Sequence, residues 1–269
     1  ILQICFRPPL PANDGGAIAM YNMSYEWSRN PSVELSMFVI QTPKHNFSDD
    51  KIKSTFQAKH YSSTFIDTKV KPINALLHLL NGKNYNISRF DTEESKRQLA
   101  AFLKSNSFDI IQFEGLFVAP LLTIAKKYAP KAKCVLRAHN IEHKIWERRA
   151  KKANGIKKWY INSLTNSLAK YENSIIPQFD AIVPITSIDN EYFKTFNTPT
   201  YTNSTGVIFK ENKTNNSLAD LKVFHLGSLD WHPNQEGLSW FISKIWPLVI
   251  KEVKEAHFYI AGKNMPKKT

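Results

Sequence analysis

Phe108-Asp109-Ile110-Ile111-Gln112-Phe113 is a short apolar run. Ala119 to Tyr128 follows with a helical pattern closed by Pro130, and Cys134-Val135-Leu136-Arg137-Ala138 is apolar again. A strand, a helix and a second strand in close succession make one βαβ unit. The same alternation continues on both sides. Toward the N-terminus, Thr92-Glu93-Glu94 opens a helix to about Ser105, with acids in the first turn that complement the helix dipole. Pro72 to Leu80 reads as helical with Gly82 as its stop, within a stretch from Thr42 to Tyr85 of otherwise mixed pattern. Val33 to Ile40 reads as a strand, Ala17 to Arg29 as a helix, and Ile1 to Phe6 as a buried first strand. Toward the C-terminus a basic helical tract runs to about Ile176 with a break near Asn154-Gly155. A strand over Asp180 to Ile185 and a helix over Ser187 to Phe196 follow. Short, nearly all-apolar strands separated by helices predict an α/β fold whose parallel sheet is covered on both faces.

The alternation stops at Phe209 to Ala219, a polar, aperiodic segment rich in Lys and Asn. It then restarts with a strand over Leu221 to Leu226, a helix over Gln235 to Lys251 and a strand over Ala256 to Ala261. The expected organisation is a domain over 1–207, a linker over 208–220 and the beginning of a second domain over 221–269. The last is a single βαβ, too small to bury its own faces.

The 269 residues are 42% hydrophobic and 22% charged, with a mean hydropathy of -0.35, which fits a folded globular chain. No run approaches the roughly 18 apolar residues of a membrane span. Cys5 and Cys134 each sit inside an apolar run and read as buried free thiols in separate strands. The net charge of +13 favours acidic partners such as phosphorylated ligands, anionic headgroups or nucleic acid. Nucleic acid is set aside because no recognised motif accompanies the charge.

Three strand-to-helix connections carry the chemistry-bearing residues. Pro8-Pro9-Leu10-Pro11 with Gly15-Gly16 lies between the first strand and first helix, where paired glycines let backbone approach a ligand and helix N–H groups can meet an anion. An ordinary tight turn would look the same. Arg137-Ala138-His139-Asn140-Ile141-Glu142-His143 is the densest polar cluster after an apolar strand, and its His139 can bond a sugar hydroxyl. Its histidine spacing is not His-Glu-x-x-His and lacks a third ligand, so no metal is expected. Gly227-Ser228-Leu229-Asp230-Trp231-His232-Pro233-Asn234 again joins a strand to a helix, with Asn234 placed as a helix cap. No Gly-x-Gly-x-x-Gly and no P-loop occurs, which counts against dinucleotide enzymes and P-loop NTPases. The tract Lys144, Arg148, Arg149, Lys151, Lys152, Lys157, Lys158, with Trp146, Trp159 and Tyr160, reads either as a solvated helix face or as a docking surface for anionic lipid.

In order along the chain, the Pro-Pro…Gly-Gly opening, the strand ending in Glu114, the Ala138-His139-Asn140-Ile141-Glu142 loop, the Phe179-to-Thr186 strand and the Gly227-to-Asn234 segment resemble family-four glycosyltransferases of the GT-B fold. The resemblance covers Ile1 through Gly262. It implies two Rossmann-like domains and transfer of a sugar, with retention, from a nucleotide-diphosphate sugar to a saccharide or lipid-linked acceptor. It implies no cofactor and no obligatory metal. On that mapping His139 is the catalytic-site residue at the donor sugar. Gly15, Gly16, Glu114, Asn140, Glu142, Gly227, Asp230 and Asn234 are donor- or acceptor-binding candidates. The expected setting is bacterial cell-surface polysaccharide or glycolipid synthesis, in the cytoplasm or on the inner face of the membrane. The family's second domain continues to a basic residue at the diphosphate and a Glu-x7-Glu pair. Glu26 and Glu34 have that separation, but Pro31 between them keeps them off one helix face. The chain is therefore expected to be truncated and inactive alone. A GT-B-fold sugar-nucleotide epimerase and a non-catalytic sugar-binding or scaffold protein are the competing readings.

Overall fold

Six short strands form one parallel sheet in the order β3-β2-β1-β4-β5-β6. They are β1 (Leu2–Cys5), β2 (Ser36–Gln41), β3 (Tyr61–Phe65), β4 (Ile110–Glu114), β5 (Lys133–Ala138) and β6 (Ala181–Pro184). The structure is a computed structural model that describes residues 1–71, 78, 81–207, 221–229 and 232–264. The expected helix over Pro72 to Leu80, the linker over 208–220 and Asp230 fall wholly or mostly outside them. The chain divides into two units, Ile1–Val207 and Ile208–Thr269.

In the first unit the helices are α1 (Gly15–Arg29), α2 (Asp49–Thr55), α3 (Tyr85–Ser88), α4 (Glu93–Ser105), α5 (Leu122–Tyr128), α6 (Glu142–Lys151), α7 (Gly155–Ile175) and α8 (Ser187–Phe193). Local sequence sets several of their starts. Asp14, Ser48, Asn84 and Thr92 each accept a backbone N–H in the first turn of the helix they precede. The mixed stretch from Thr42 to Tyr85 contains α2, β3 and the start of α3. Their short lengths and half-polar faces give little periodicity to read. The predicted helix over Ala119 to Tyr128 starts as a 3-10 turn, Leu116–Leu121, with Pro120 inside it, and becomes α-helical only at Leu122.

The sheet is buried on both faces. On one, Leu2, Ile4, Phe38, Ile111, Phe113 and Leu136 pack under Leu99 and Leu103 of α4, Ala125 of α5 and Leu168 of α7. On the other, Cys5, Met37 and Val39 pack under Met20 of α1 and Ile52 of α2. The strands expected from sequence are nearly all apolar, and the exceptions cluster. Gln3 pairs in register with Gln112, Cys5 with Glu114, and Glu114 with Arg137, so these four polar side chains share the α1 face of the central strands, all buried. Cys5 and Cys134 are free and buried, and burial pushes both thiols up.

The second unit holds β7 (Lys222–Leu226) and β8 (His257–Ala261), paired in parallel, with α9 (His232–Trp240) and α10 (Trp246–Glu252) between them. The expected single helix is interrupted by a π turn, Phe241–Ile245, which ends two residues before Pro247. Proline lacks an N–H and crowds the preceding turn, and a π turn accommodates both. The rings of Phe241, Trp246 and Phe258 cluster at 4.9 to 6.3 Å.

Candidate functional site

Strand order reverses between β1 and β4: β2 and β3 extend the sheet one way, β5 and β6 the other. Ligands of open parallel sheets bind in the crevice beyond the strand ends at such a reversal. Here that edge carries Phe6 and Arg7 after β1, Gly115 after β4 and His139 after β5. Gly115 has φ +81, which strains any residue with a side chain, and a β-carbon there would sit 3.6 Å from the Phe6 ring. The Phe6 ring meets His139 edge-on with centroids 6.0 Å apart.

Beneath this edge lies a hydrogen-bonded polar network. Glu114 is fully buried, and its carboxylate accepts from Gln3 Nε2 and Gln112 Nε2, each at 2.7 Å, and from Arg137 Nη1 at 3.4 Å. His139 Nε2 lies 2.7 Å from Glu114 Oε2. Gln3 is fixed in turn by Ser24 Oγ of α1, and Arg137 Nη1 also donates to the Ala19 carbonyl at 2.9 Å. Burial alone would push the Glu114 carboxyl up, but the bond from His139 and the charge of Arg137 outweigh it and hold it at about 2. An ionised acceptor at Nε2 assigns the ring proton to Nε2. The other ring nitrogen, Nδ1, has no hydrogen bond among the described residues and is the atom left for a ligand.

Gly15 and Gly16 are not a free loop, as the sequence suggested, but the first two residues of α1. Asp14 is the N-cap and accepts from Ala17 N at 3.1 Å. Arg7, nearly buried, pairs with Asp14, and its Nη1 lies 3.4 Å from His45 Nδ1. A β-carbon on Gly16 would stand 2.9 Å from Arg7 Nη2, whereas nothing lies within 4 Å of one on Gly15. The second glycine thus makes room for a guanidinium of the chain itself.

The polar cluster after β5 separates in space. His139 turns to Glu114, whereas His143 Nδ1 sits 2.6 Å from Glu172 Oε2 on α7. Asn140 is exposed. Glu142 is buried, and burial followed by the nearby Glu172 charge raises its carboxyl to about 7. Among the described residues no group of three His, Cys, Asp or Glu side chains is placed to hold a metal ion.

In the second unit Asn234 is not the helix cap. It lies within the first turn of α9, and its Nδ2 donates back to the Ser228 carbonyl at 2.9 Å, closing the loop after β7. A β-carbon on Gly227 would meet that amide at 3.0 Å, and one on Gly262 would collide with the Gly227 carbonyl. Tight packing between the two strand ends therefore accounts for both glycines.

The basic tract forms the antiparallel pair α6 and α7. Trp146 is half-buried under Arg149, and Lys144 lies over the Tyr192 ring. At the tip, Ile156 is 86% and Trp159 62% exposed among the exposed Lys151, Lys152, Lys157 and Lys158.

No family model matches the sequence, and no curated protein matches it. Solved structures do. The structure of LpCGTa in complex with UDP is 9% identical, with a TM-score of 0.50 over 97% of this chain and 71% of that one. The fold is of the GT-B type. A UGT transferase from Siraitia grosvenorii in complex with UDP (12% identical, TM-score 0.44, 99% and 66% covered) and UGT2 of Phytolacca americana (10%, 0.45, 98% and 73%) also match. The chain spans 66% of the length of the first of these, so it aligns with part of a longer GT-B protein.

Gln3, Ser24 and Gln112 carry the Glu114 network, and Glu172 holds His143, yet none of the four was given a role from sequence. For the strand residues a signal was there: Gln3 and Gln112 are polar positions inside otherwise apolar strands, which are costly to bury without partners.

Proposed function

We propose that this chain belongs to a nucleotide-sugar glycosyltransferase that moves a sugar, with retention, from a nucleotide-diphosphate donor to a saccharide or lipid-linked acceptor, using no cofactor. The observation that carries the reading is the Glu114–His139 pair at the strand-order reversal. A buried ionised carboxylate fixes the ring orientation and leaves one nitrogen for a sugar hydroxyl. A contact of that kind strengthens as positive charge develops on the sugar ring, so it lowers the barrier and does not merely tighten binding. UDP in two of the matching structures makes a uridine donor the first to try. The resemblance to family-four enzymes supports retention and a role in bacterial surface polysaccharide or glycolipid synthesis.

Gly15 and Gly16 are a proposed donor-phosphate contact of the first unit, where N–H groups of a helix start suit an anion, and Gly227, Asp230 and Asn234 are proposed separately as donor-binding residues of the second. Asn140, exposed beside His139, is a proposed contact to donor or acceptor. The lysine-rimmed tip of α6 and α7 is the proposed contact with an anionic membrane, which fits a lipid-linked acceptor at a cytoplasmic surface. Among the described residues no helix is long and apolar enough to cross a membrane.

The test is transfer by the gene's full-length product from a panel of UDP- and GDP-sugars, with the product's anomeric configuration read by proton NMR. Product of the donor's configuration supports the reading, inverted product overturns retention, and absence of both nucleotide binding and transfer overturns the function.

A further inference from the structure

We propose that Glu172, which no sequence motif marks, is a positioning residue that fixes the His139 loop by capping helix α6 from a neighbouring helix. The proposal rests on the functional role given to His139 above. The connection from β5 to α6 is only His139, Asn140 and Ile141. Its first end is tied to the sheet, where Ile185 N donates to the Ala138 carbonyl at 3.2 Å. Its second end is the first turn of α6, whose leading N–H groups need acceptors. Ile141 occupies the cap position and has none to offer. Both oxygens of Glu172 do the work instead: Oε1 accepts from Glu142 N at 3.1 Å, and Oε2 from His143 N at 3.2 Å. His143 Nδ1, 2.6 Å from Oε2, adds a third contact.

Glu172 is itself held rigidly. It is 1% exposed, on the α7 face that packs into the core through Leu168 and Ile175. The carboxylate also lies at the positive end of the α6 dipole, where a negative charge is favoured. A three-residue loop clamped at both ends leaves His139 little freedom, which suits a ring that must keep a 2.7 Å bond to Glu114. Helix caps drawn from thirty residues away are not needed for helix stability alone, since Ser, Thr, Asp or Asn at position 141 would serve.

The experiment compares wild type with Glu172→Gln and Glu172→Ala, reading the ring nitrogens of His139 by long-range proton–nitrogen NMR, with His139→Asn for assignment. In wild type the two ring nitrogens should be widely separated, as for one fixed tautomer. Glu172→Ala should draw them together as the ring begins to exchange. Glu172→Gln, which keeps one carbonyl acceptor, should lie between and covers the case in which the alanine variant does not fold. An unchanged His139 pattern in a folded variant whose α6 amides exchange faster would overturn the proposal and leave Glu172 as a helix cap only. With a donor in hand, Glu172→Ala should lower kcat about tenfold in wild type and not at all in His139→Ala. Additive losses would overturn it as well. The NMR arm needs no turnover, so it stands or falls separately from the assigned activity.

Discussion

Glu114 Oε2 and His139 Nε2 stand 2.7 Å apart across the ends of β4 and β5, with the carboxylate wholly buried. Removing that carboxylate takes the counter-charge from Arg137, which is 1% exposed, and strands two glutamine amides. Glu114→Ala is therefore expected to cost about 3–5 kcal/mol, the usual result of breaking a buried charge pair from one side. Glu114→Gln keeps the shape and should cost less. The carboxyl is held at about 2 in the fold, below its ordinary 4.5, so its contribution is full above pH 4.5 and lost as pH falls toward 2. Urea melts at neutral and acid pH should show the wild type losing its advantage over Glu114→Gln on acidification. A loss below about 1 kcal/mol for Glu114→Ala at pH 7 would contradict the network.

The two glycines at the start of α1 should behave differently. Gly15→Ala places its methyl in open space at a helical position and should be neutral or stabilising, by up to about 1 kcal/mol. Gly16→Ala drives the Arg7 guanidinium away from Asp14 and should cost about 1–2 kcal/mol. In an Arg7→Ala background that penalty should vanish. Thermal melts of wild type and the four variants decide it, and equal effects at both glycines would refute the steric account.

Much of the fold was legible because parallel strands buried on both faces give unbroken apolar runs. The strand and helix order around Ile110, Cys134 and Ala181 could be read directly. His139 was legible by its place at a strand end. Its partner's role was not: Glu114 closes an apolar run, and only the register with Cys5 and Arg137 shows that it points under α1. Glu172 was invisible because capping from another helix leaves no local pattern. Asn234 was misread as a cap because a polar residue near a helix start satisfies the same sequence rule whether it caps the helix or ties back the loop.

Glu142 should make the fold pH-sensitive in the direction opposite to Glu114. Its carboxyl is raised to about 7, by burial and by Glu172, so the fold favours the protonated form. The associated stability is present below pH 4.5 and lost as pH rises through 7. Glu142→Gln should match wild type at pH 4.5 and exceed it at pH 8, by up to about 3 kcal/mol. Denaturant midpoints at the two pH values test this, and a variant less stable than wild type at pH 8 would mean that the charged form is the one the site holds.

The tip of α6 and α7 gives the last prediction. Ile156 and Trp159 are the exposed apolar residues there, and the four lysines around them are exposed as well, with Lys151 paired to Glu147 at 2.9 Å. A lysine near an anionic surface contributes about 1 kcal/mol, and an aromatic ring at the headgroup level adds apolar burial. The two contributions have different signatures. Charge attraction is screened over about 8 Å at physiological ionic strength and fades with salt, whereas ring insertion persists. Sedimentation with vesicles containing phosphatidylglycerol should show binding that weakens as salt rises. Lys157→Glu with Lys158→Glu should weaken it most at low salt and converge with wild type as salt rises. Trp159→Ser with Ile156→Ser should leave weak binding at low salt and none at physiological salt. Binding of equal strength to neutral vesicles, or binding indifferent to all four substitutions, would remove the tip from any membrane role.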